Sequence, residues 1–294
     1  MYRRPLYLTL FVLLGCLTWY VYSANVQPQT PPPLYQETEF LQALEASPFQ
    51  DEIELSQQLQ LFDDIRHIFK QTYYYKDHGA SSVVFQSEDA KYILKLFNMR
   101  DARTEKEVSK RLSGYQLAYD INRTPTGILF WHQYKTDHLN TTVNLIDTIG
   151  INRKTQVGFR RTLDLDNYIF VIQLKAEKMD QLLNKALRKG KVEQARQYLK
   201  ELFQLYDEEL RRGIMDIDGK FFFNTGFHEG KPMRFDVSHL REIEYVLNDA
   251  DVEDYRFRIL RHVIRWIQRR DYEDHTEIIQ DVVLWLTKYP KSKD

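Results

Sequence analysis

Three short strand-like runs follow one another between Tyr73 and Phe97: the tyrosine run, SVVFQS after Gly79, and KYILKLF after the Ser87-Glu88-Asp89 turn. So close a succession commits this part of the chain to a sheet and leaves no room for a helix. Within the third run, Tyr92, Leu94 and Leu96 alternate with Ile93, Lys95 and Phe97. Lys95 therefore shares a strand face with two large apolar groups. A lysine there is semi-buried and calls for an anionic partner. The plainer alternative is a stem lying over the core with its amine in water.

The remaining periodicity divides the chain into further elements. Leu59, Phe62, Ile65 and Phe69 recur at helical spacing and predict an amphipathic helix over 52–70. A second helix is expected over 104–119, where Glu105 and Glu107 are candidate partners for Lys95. Strands are expected over 142–149 and 168–174, joined by a basic stretch from Arg153 to Arg161. Five strands with one intervening helix make a compact amino-terminal lobe. Helices then follow over 179–188 and 192–212; the second buries Ala195, Leu199, Leu202, Tyr206 and Leu210 and ends at Gly213. Phe221–Phe223 and Pro232–Phe235 flank a turn at His228-Glu229-Gly230-Lys231, and two more helices are expected over 252–270 and 275–288. The first of these carries Arg256, Arg258, Arg261, Arg265, Arg269 and Arg270, which read as a solvated or lipid-facing surface. The fold class is α+β.

A formal net charge of −1 over 294 residues argues against nucleic acid as a partner. The single cysteine, Cys16, allows neither an intrachain disulfide nor a cysteine zinc site. Arg3 and Arg4 precede an apolar run from Leu6 to Tyr22, which reads as a single transmembrane helix; a cleaved signal and a lipoprotein motif ending at Cys16 are the alternatives. The positive-inside rule puts the amino terminus in the cytoplasm and the main domain across the membrane. In a secretory lumen Asn122 and Asn140 would be glycosylation acceptors. The expected organisation is an anchor or signal segment over 1–24, a proline-rich linker over 25–36, an N-terminal helical region over 37–72, the sheet-bearing lobe over 73–175 and a helical lobe over 176–294.

The chemistry concentrates in GIMDIDGKFFFNTGFHEGKPMRFDVS, where Asp216, Asp218, Asn224 and Asp236 supply hard oxygen ligands suited to Mg²⁺. Upstream, Gly79 and the small residues Ala80, Ser81 and Ser82 would let backbone approach a phosphate. In this order the elements resemble a reduced protein kinase. GASSVVF resembles the glycine-rich loop, so Gly79 and Ser81 would cover nucleotide phosphates. Lys95 in YILKLF matches the phosphate-holding lysine, with Glu107, or Glu105, to orient it. The segment Asp216 to Asn224 resembles the catalytic loop, and Asp236 in RFDVS matches the magnesium-holding aspartate of DFG. SGYQLAYD, VNLIDTIG and FVIQLKAE further resemble membrane-anchored kinase-like proteins of Chlamydia-related bacteria. The resemblance implies a reduced two-lobed protein-kinase-like fold, preceded by a transmembrane helix, that uses Mg²⁺ and ATP. Asn224 and Asp236 would hold the metal, Asp218 or Asp216 would serve as base, and Lys220 would neutralise the transferring phosphate.

Departures from the family pattern bear on activity. Asp218 to Asn224 is one residue longer than the family spacing, Asp216 stands where the family has the histidine of HRD, and Val237-Ser238 replaces Phe-Gly. The short stretch after Asp236 leaves little room for a peptide-binding platform, which favours a small-molecule, sugar or lipid hydroxyl as acceptor. The alternative is a catalytically inactive pseudokinase that binds a protein partner as a membrane-tethered scaffold.

Overall fold

The computed structural model describes residues 52–78, 82–97, 105–147, 160–217, 220–243, 249–270 and 277–281, without the side chains of 52–58, 105–111, 221 and 249–250. These residues all belong to one compact unit that begins at Ala43. The apolar run of 1–24 and the proline-rich linker lie outside the described residues. Among the described residues no helix is long and apolar enough to cross a membrane.

The chain order runs α1 (Glu52–Ile65), a 3-10 turn (Arg66–Lys70), β1 (Thr72–His78), β2 (Ser82–Ser87), β3 (Tyr92–Phe97), α2 (Glu105–Ile121) and the short α3 (Arg123–Thr126). It continues through β4 (Ile128–His132), β5 (Thr142–Ile146), β6 (Arg160–Asp164) and β7 (Phe170–Leu174). These strands form one seven-stranded sheet in the order β4-β7-β3-β2-β1-β5-β6. The expected three-strand succession is present, with β1 antiparallel to β2 and β2 antiparallel to β3. The expected strands over 142–149 and 168–174 are β5 and β7, and β5 joins β1 in parallel.

Two strands exceed the five expected. β4 occupies a segment where no strand was expected, because Phe130 and Trp131 are both buried, one against Phe62 and the other against Tyr115. A strand covered on both faces loses the alternation by which strands are recognised. Gly127, at φ 62°, closes α3 and starts the strand. β6 starts at the end of the basic stretch and buries only Leu163, so an outermost strand with one apolar anchor gives no periodic signal either.

Aromatic rings fill the sheet face toward α1: Phe62 and Phe69 meet Phe130, Phe170 and Tyr73. A loop beside this face is held by the buried Asp166. Its carboxylate accepts hydrogen bonds from Thr136 Oγ1 and from the amides of His138, Leu139 and Asn140, the last three at 3.0, 2.9 and 2.8 Å. Burial pushes the Asp166 carboxyl up, but these four donors outweigh it and hold it below its ordinary 3.8. A carboxyl depressed in the folded state stabilises fully above that ordinary value, and the contribution is lost as pH falls through the lower folded value. Asp166→Asn is therefore expected to cost about 1–3 kcal/mol at neutral pH. In acid titrations followed by circular dichroism, the variant loses less further stability than wild type below pH 3.8.

The carboxy-terminal part contains β8 (Glu177–Lys178), α4 (Met179–Leu187), α5 (Val192–Arg211), β9 (Ile214–Asp216), a 3-10 turn (Phe221–Asn224), β10 (Thr225–His228), β11 (Lys231–Arg234), β12 (Leu240–Glu242) and α6 (Asp249–Gln268). The five expected apolar positions of α5 are all buried, and Gly213 follows the helix at φ 73°. The turn expected near 228–231 is the tip of the β10–β11 hairpin. Helices α4, α5 and α6 share an apolar core built on Leu183, Leu199, Leu202, Ile259, Val263 and Ile267. The arginines of α6 and of the two residues after it are not uniformly solvated. Arg256 Nε donates to the buried Asp207 at 2.8 Å and Arg270 lies over Trp266, while Arg261, Arg265 and Arg269 are exposed.

Candidate functional site

Strand register sets the position of Lys95. It stands between Val84 on β2 and Val171 on β7, and its side chain leaves the sheet on the face covered by α2, with Phe97 on the same face. At 6% exposure the whole residue is buried, which replaces the plainer alternative of an amine in water. Nζ donates to the backbone carbonyl of Phe235 and lies 3.4 Å from Tyr115 Oη. Burial pulls the Lys95 ammonium down from its ordinary value, and the charge of Asp236 opposes that pull. Among the described residues, Asp236 is thus the anion that answers the lysine. The backbone of Glu107 lies in α2, but its side chain is outside the described ones.

Asp236 reaches this point from far along the chain because β11 delivers it. The amides of Phe235 and Asp236 donate to the carbonyl of Asn224 at 3.0 and 3.4 Å, which ties the 3-10 turn to the end of the hairpin. Val237 is buried with Leu112, Tyr115 and Ala118 of α2. A glycine makes that contact possible, since a Cβ on Gly114 would sit 2.0 Å from the Val237 carbonyl oxygen. Oδ1 of Asp236 then accepts from Tyr115 Oη at 3.4 Å, Ser238 N at 3.3 Å and Ser238 Oγ at 3.0 Å. Burial works to raise the Asp236 carboxyl, but Lys95, the two Ser238 donors and His239 outweigh it and leave it below the usual range. It is an ionised carboxylate at neutral pH.

Asp216 has a different occupation. In β9 it shares the inward face with the fully buried Ile214, and its Oδ2 accepts from Arg234 Nη1 at 2.8 Å. Arg234 is itself completely buried and donates through Nε to Glu209 Oε2 at 2.6 Å, with its guanidinium 4.5 Å from the Tyr206 ring. Asn122 Nδ2 donates to Glu209 Oε1 at 2.9 Å, and Arg212 Nη2 donates to Asn122 Oδ1. This chain of contacts bears on two expectations. Asp216 is buried and ion-paired with Arg234. Asn122, at 1% exposure, is no glycosylation acceptor.

Of the remaining candidates, Gly79, Ser81 and Asp218 lie outside the described residues. Lys220 is exposed, and its carbonyl accepts from the Phe223 and Asn224 amides at the 3-10 turn. Asn224 is half-buried, and its backbone carbonyl accepts from the Asp236 amide. Among the described residues no three His, Cys, Asp or Glu side chains cluster as a metal site. One carboxylate and one amide oxygen still suit Mg²⁺, which takes few protein ligands and keeps several waters. Tyr115, Gly114, Ser238, Arg234 and Glu209 carry the site's geometry and were missed as site residues. The signal for the first two lay in SGYQLAYD, where a glycine precedes an aromatic in mid-helix.

No family model matches the chain, and no curated protein matches it by sequence. Among solved structures it is similar to WbdD at 2.2 Å, with a TM-score of 0.37 and 10% identity over 74% of this chain and 46% of that one. It is similar to the ROP18 kinase domain in complex with AMP-PNP and sucrose, with a TM-score of 0.36 and 14% identity over 67% of this chain and 65% of that one. A co-crystal of WbdD with the kinase inhibitor LY294002 gives 0.34 and 12% over 74% and 46%. The chain spans about half the length of the WbdD chains. TM-scores of this size carry no argument about function, which rests on the residues themselves.

Proposed function

We propose that this chain is a protein-kinase-like protein whose cleft binds Mg²⁺ and ATP between Lys95 and Asp236 and transfers a phosphoryl group to a small-molecule, sugar or lipid hydroxyl. One observation carries the reading. Lys95 from the third strand and Asp236 from beyond the hairpin, joined through a Phe235 contact that spans 140 residues of chain, meet under α2 as a buried cation and a half-buried anion. Burying two opposite charges costs several kcal/mol per ion, and a simple core would use apolar groups instead. A cleft for a phosphate and a cation gives both charges a purpose.

Lys95 would hold the nucleotide phosphates, and Asn224 and Asp236 would hold the metal through oxygen. When bound, Mg²⁺ neutralises phosphate charge. With Asp216 committed to Arg234, Asp218 is left to orient the accepting hydroxyl, and Lys220 would face the transferring phosphate. The apolar run from Leu6 to Tyr22 would tether this cleft to a membrane.

The test is thermal unfolding of the purified full chain. Mg-ATP at a hundredfold excess over its dissociation constant is expected to add about 2.7 kcal/mol to the folded state. Asp236→Asn and Lys95→Met each abolish that gain. A wild-type chain indifferent to Mg²⁺ and nucleotide removes the reading. The commitment of Asp216 favours the second reading, an inactive scaffold for a protein partner. It predicts that the Lys95→Ala, Asp236→Asn double variant still captures that partner.

A further inference from the structure

We infer that Tyr115 is the positioning residue of this cleft: its phenol oxygen stands between the Lys95 ammonium and the Asp236 carboxylate and keeps them from pairing directly. The gap so held is what admits a phosphate and its metal. This rests on the roles proposed above for Lys95 and Asp236.

The geometry is a bridge. Tyr115 Oη lies 3.4 Å from Lys95 Nζ on one side and 3.4 Å from Asp236 Oδ1 on the other, and the two charged groups form no direct ion pair. A neutral hydroxyl can accept from an ammonium and donate to a carboxylate at once, which a glutamate in the same place cannot do. An ordinary phenol, with a pKa of about 10, carries its proton at neutral pH and so can donate. Its ring is fixed as well. Tyr115 is 2% exposed, meets Phe97 edge-on at 4.7 Å and stacks on Trp131 at 5.7 Å, whose indole Nε1 donates to Gln116 at 2.9 Å.

The bridge also orients the carboxylate. Oδ1 of Asp236 receives Tyr115 and both Ser238 donors, whereas Oδ2 receives no hydrogen bond among the described residues. Oδ2 is therefore the oxygen offered to a cation. Without the hydroxyl, opposite charges in a low-dielectric interior attract strongly enough to close the gap.

Tyr115→Phe in the full chain keeps the ring packing and removes only the bridge. A double-mutant cycle of Lys95→Met and Asp236→Asn, read by urea unfolding, is run in the wild-type and Tyr115→Phe backgrounds. The coupling between the two charges, expressed as a ratio of unfolding constants, is expected to rise several-fold in the Tyr115→Phe background. An equal or smaller coupling overturns the inference. Should either charge variant not fold, the crystal structure of Tyr115→Phe decides alone: a direct Lys95–Asp236 ion pair supports the bridge, and charges still apart overturn it. In the ligand arm, Tyr115→Phe is expected to lose most of the Mg-ATP thermal shift without losing ligand-free stability, whereas a merely structural tyrosine would lose both. A full shift in the variant overturns the inference. If the wild-type chain shows no shift, the nucleotide reading fails, and the cycle still judges Tyr115.

Discussion

Arg234→Met is expected to destabilise the full chain by about 3–5 kcal/mol, a large share of the roughly 5–15 kcal/mol that holds a domain of ordinary stability. The methionine fills similar space, so the loss is electrostatic. It strands two carboxylates, Glu209 at 0% and Asp216 at 1% exposure, that now share one guanidinium. Burial works against the charge of Arg234, yet Glu209, with Tyr206, Tyr255 and Asp216, holds it more firmly protonated than usual. The arrangement tolerates removal of all its charges better than removal of one. A triple variant, Arg234→Met with Glu209→Gln and Asp216→Asn, is thus expected to recover a large part of the loss in urea unfolding. If Arg234→Met falls within about 1 kcal/mol of wild type, the network holds nothing together, and Asp216 returns as a candidate base.

The same network explains why part of the site was legible in the sequence and part was not. Lys95 could be placed because strand alternation is local: Ile93, Lys95 and Phe97 must share a face whatever surrounds them. The buried stripe of α5 was legible for the same reason, as was the hairpin before Asp236. Glu209 was not, because it sits in DEELRR, where a run of charges at a helix end looks solvated. Only its partner Arg234, on another element, shows that it faces inward. Asp216 was grouped with Asp218 and Asn224 through its nearness to them in sequence, and its ion pair with Arg234 was not foreseen. Period two from Ile214 already pointed it inward, and that local signal outweighs closeness to other acids. The outer strands β4 and β6 failed for the reverse reason, having no alternation to read. Tyr115 could not be named as a partner of Lys95, because the search for a counter-charge looks for carboxylates and passes over a phenol.

Gly114→Ala should separate the two sides of the site without touching a charged group. The added Cβ would lie 2.0 Å from the Val237 carbonyl oxygen and 2.8 Å from both the carbonyl carbon and oxygen of Ser238. All three atoms are backbone, so no side chain can rotate aside. Either α2 or the segment after Asp236 must give way. Movement of α2 is resisted by Leu112, Tyr115 and Ala118, which pack against Phe97, Trp131 and Val171. The segment therefore yields and draws Asp236 away from Tyr115 and Lys95. Alanine is favoured over glycine in mid-helix by about 1 kcal/mol, which offsets part of an overpacking cost of about 1–3 kcal/mol. Net stability falls modestly, while the Mg-ATP thermal shift is expected to disappear. Gly190→Ala is the control, since a Cβ there meets nothing within 4 Å and the strain of φ 64° is confined to the loop after α4. A Gly114→Ala chain that keeps the full thermal shift would show that Asp236 holds its place without the close approach to α2, and that the contact with Val237 serves packing alone.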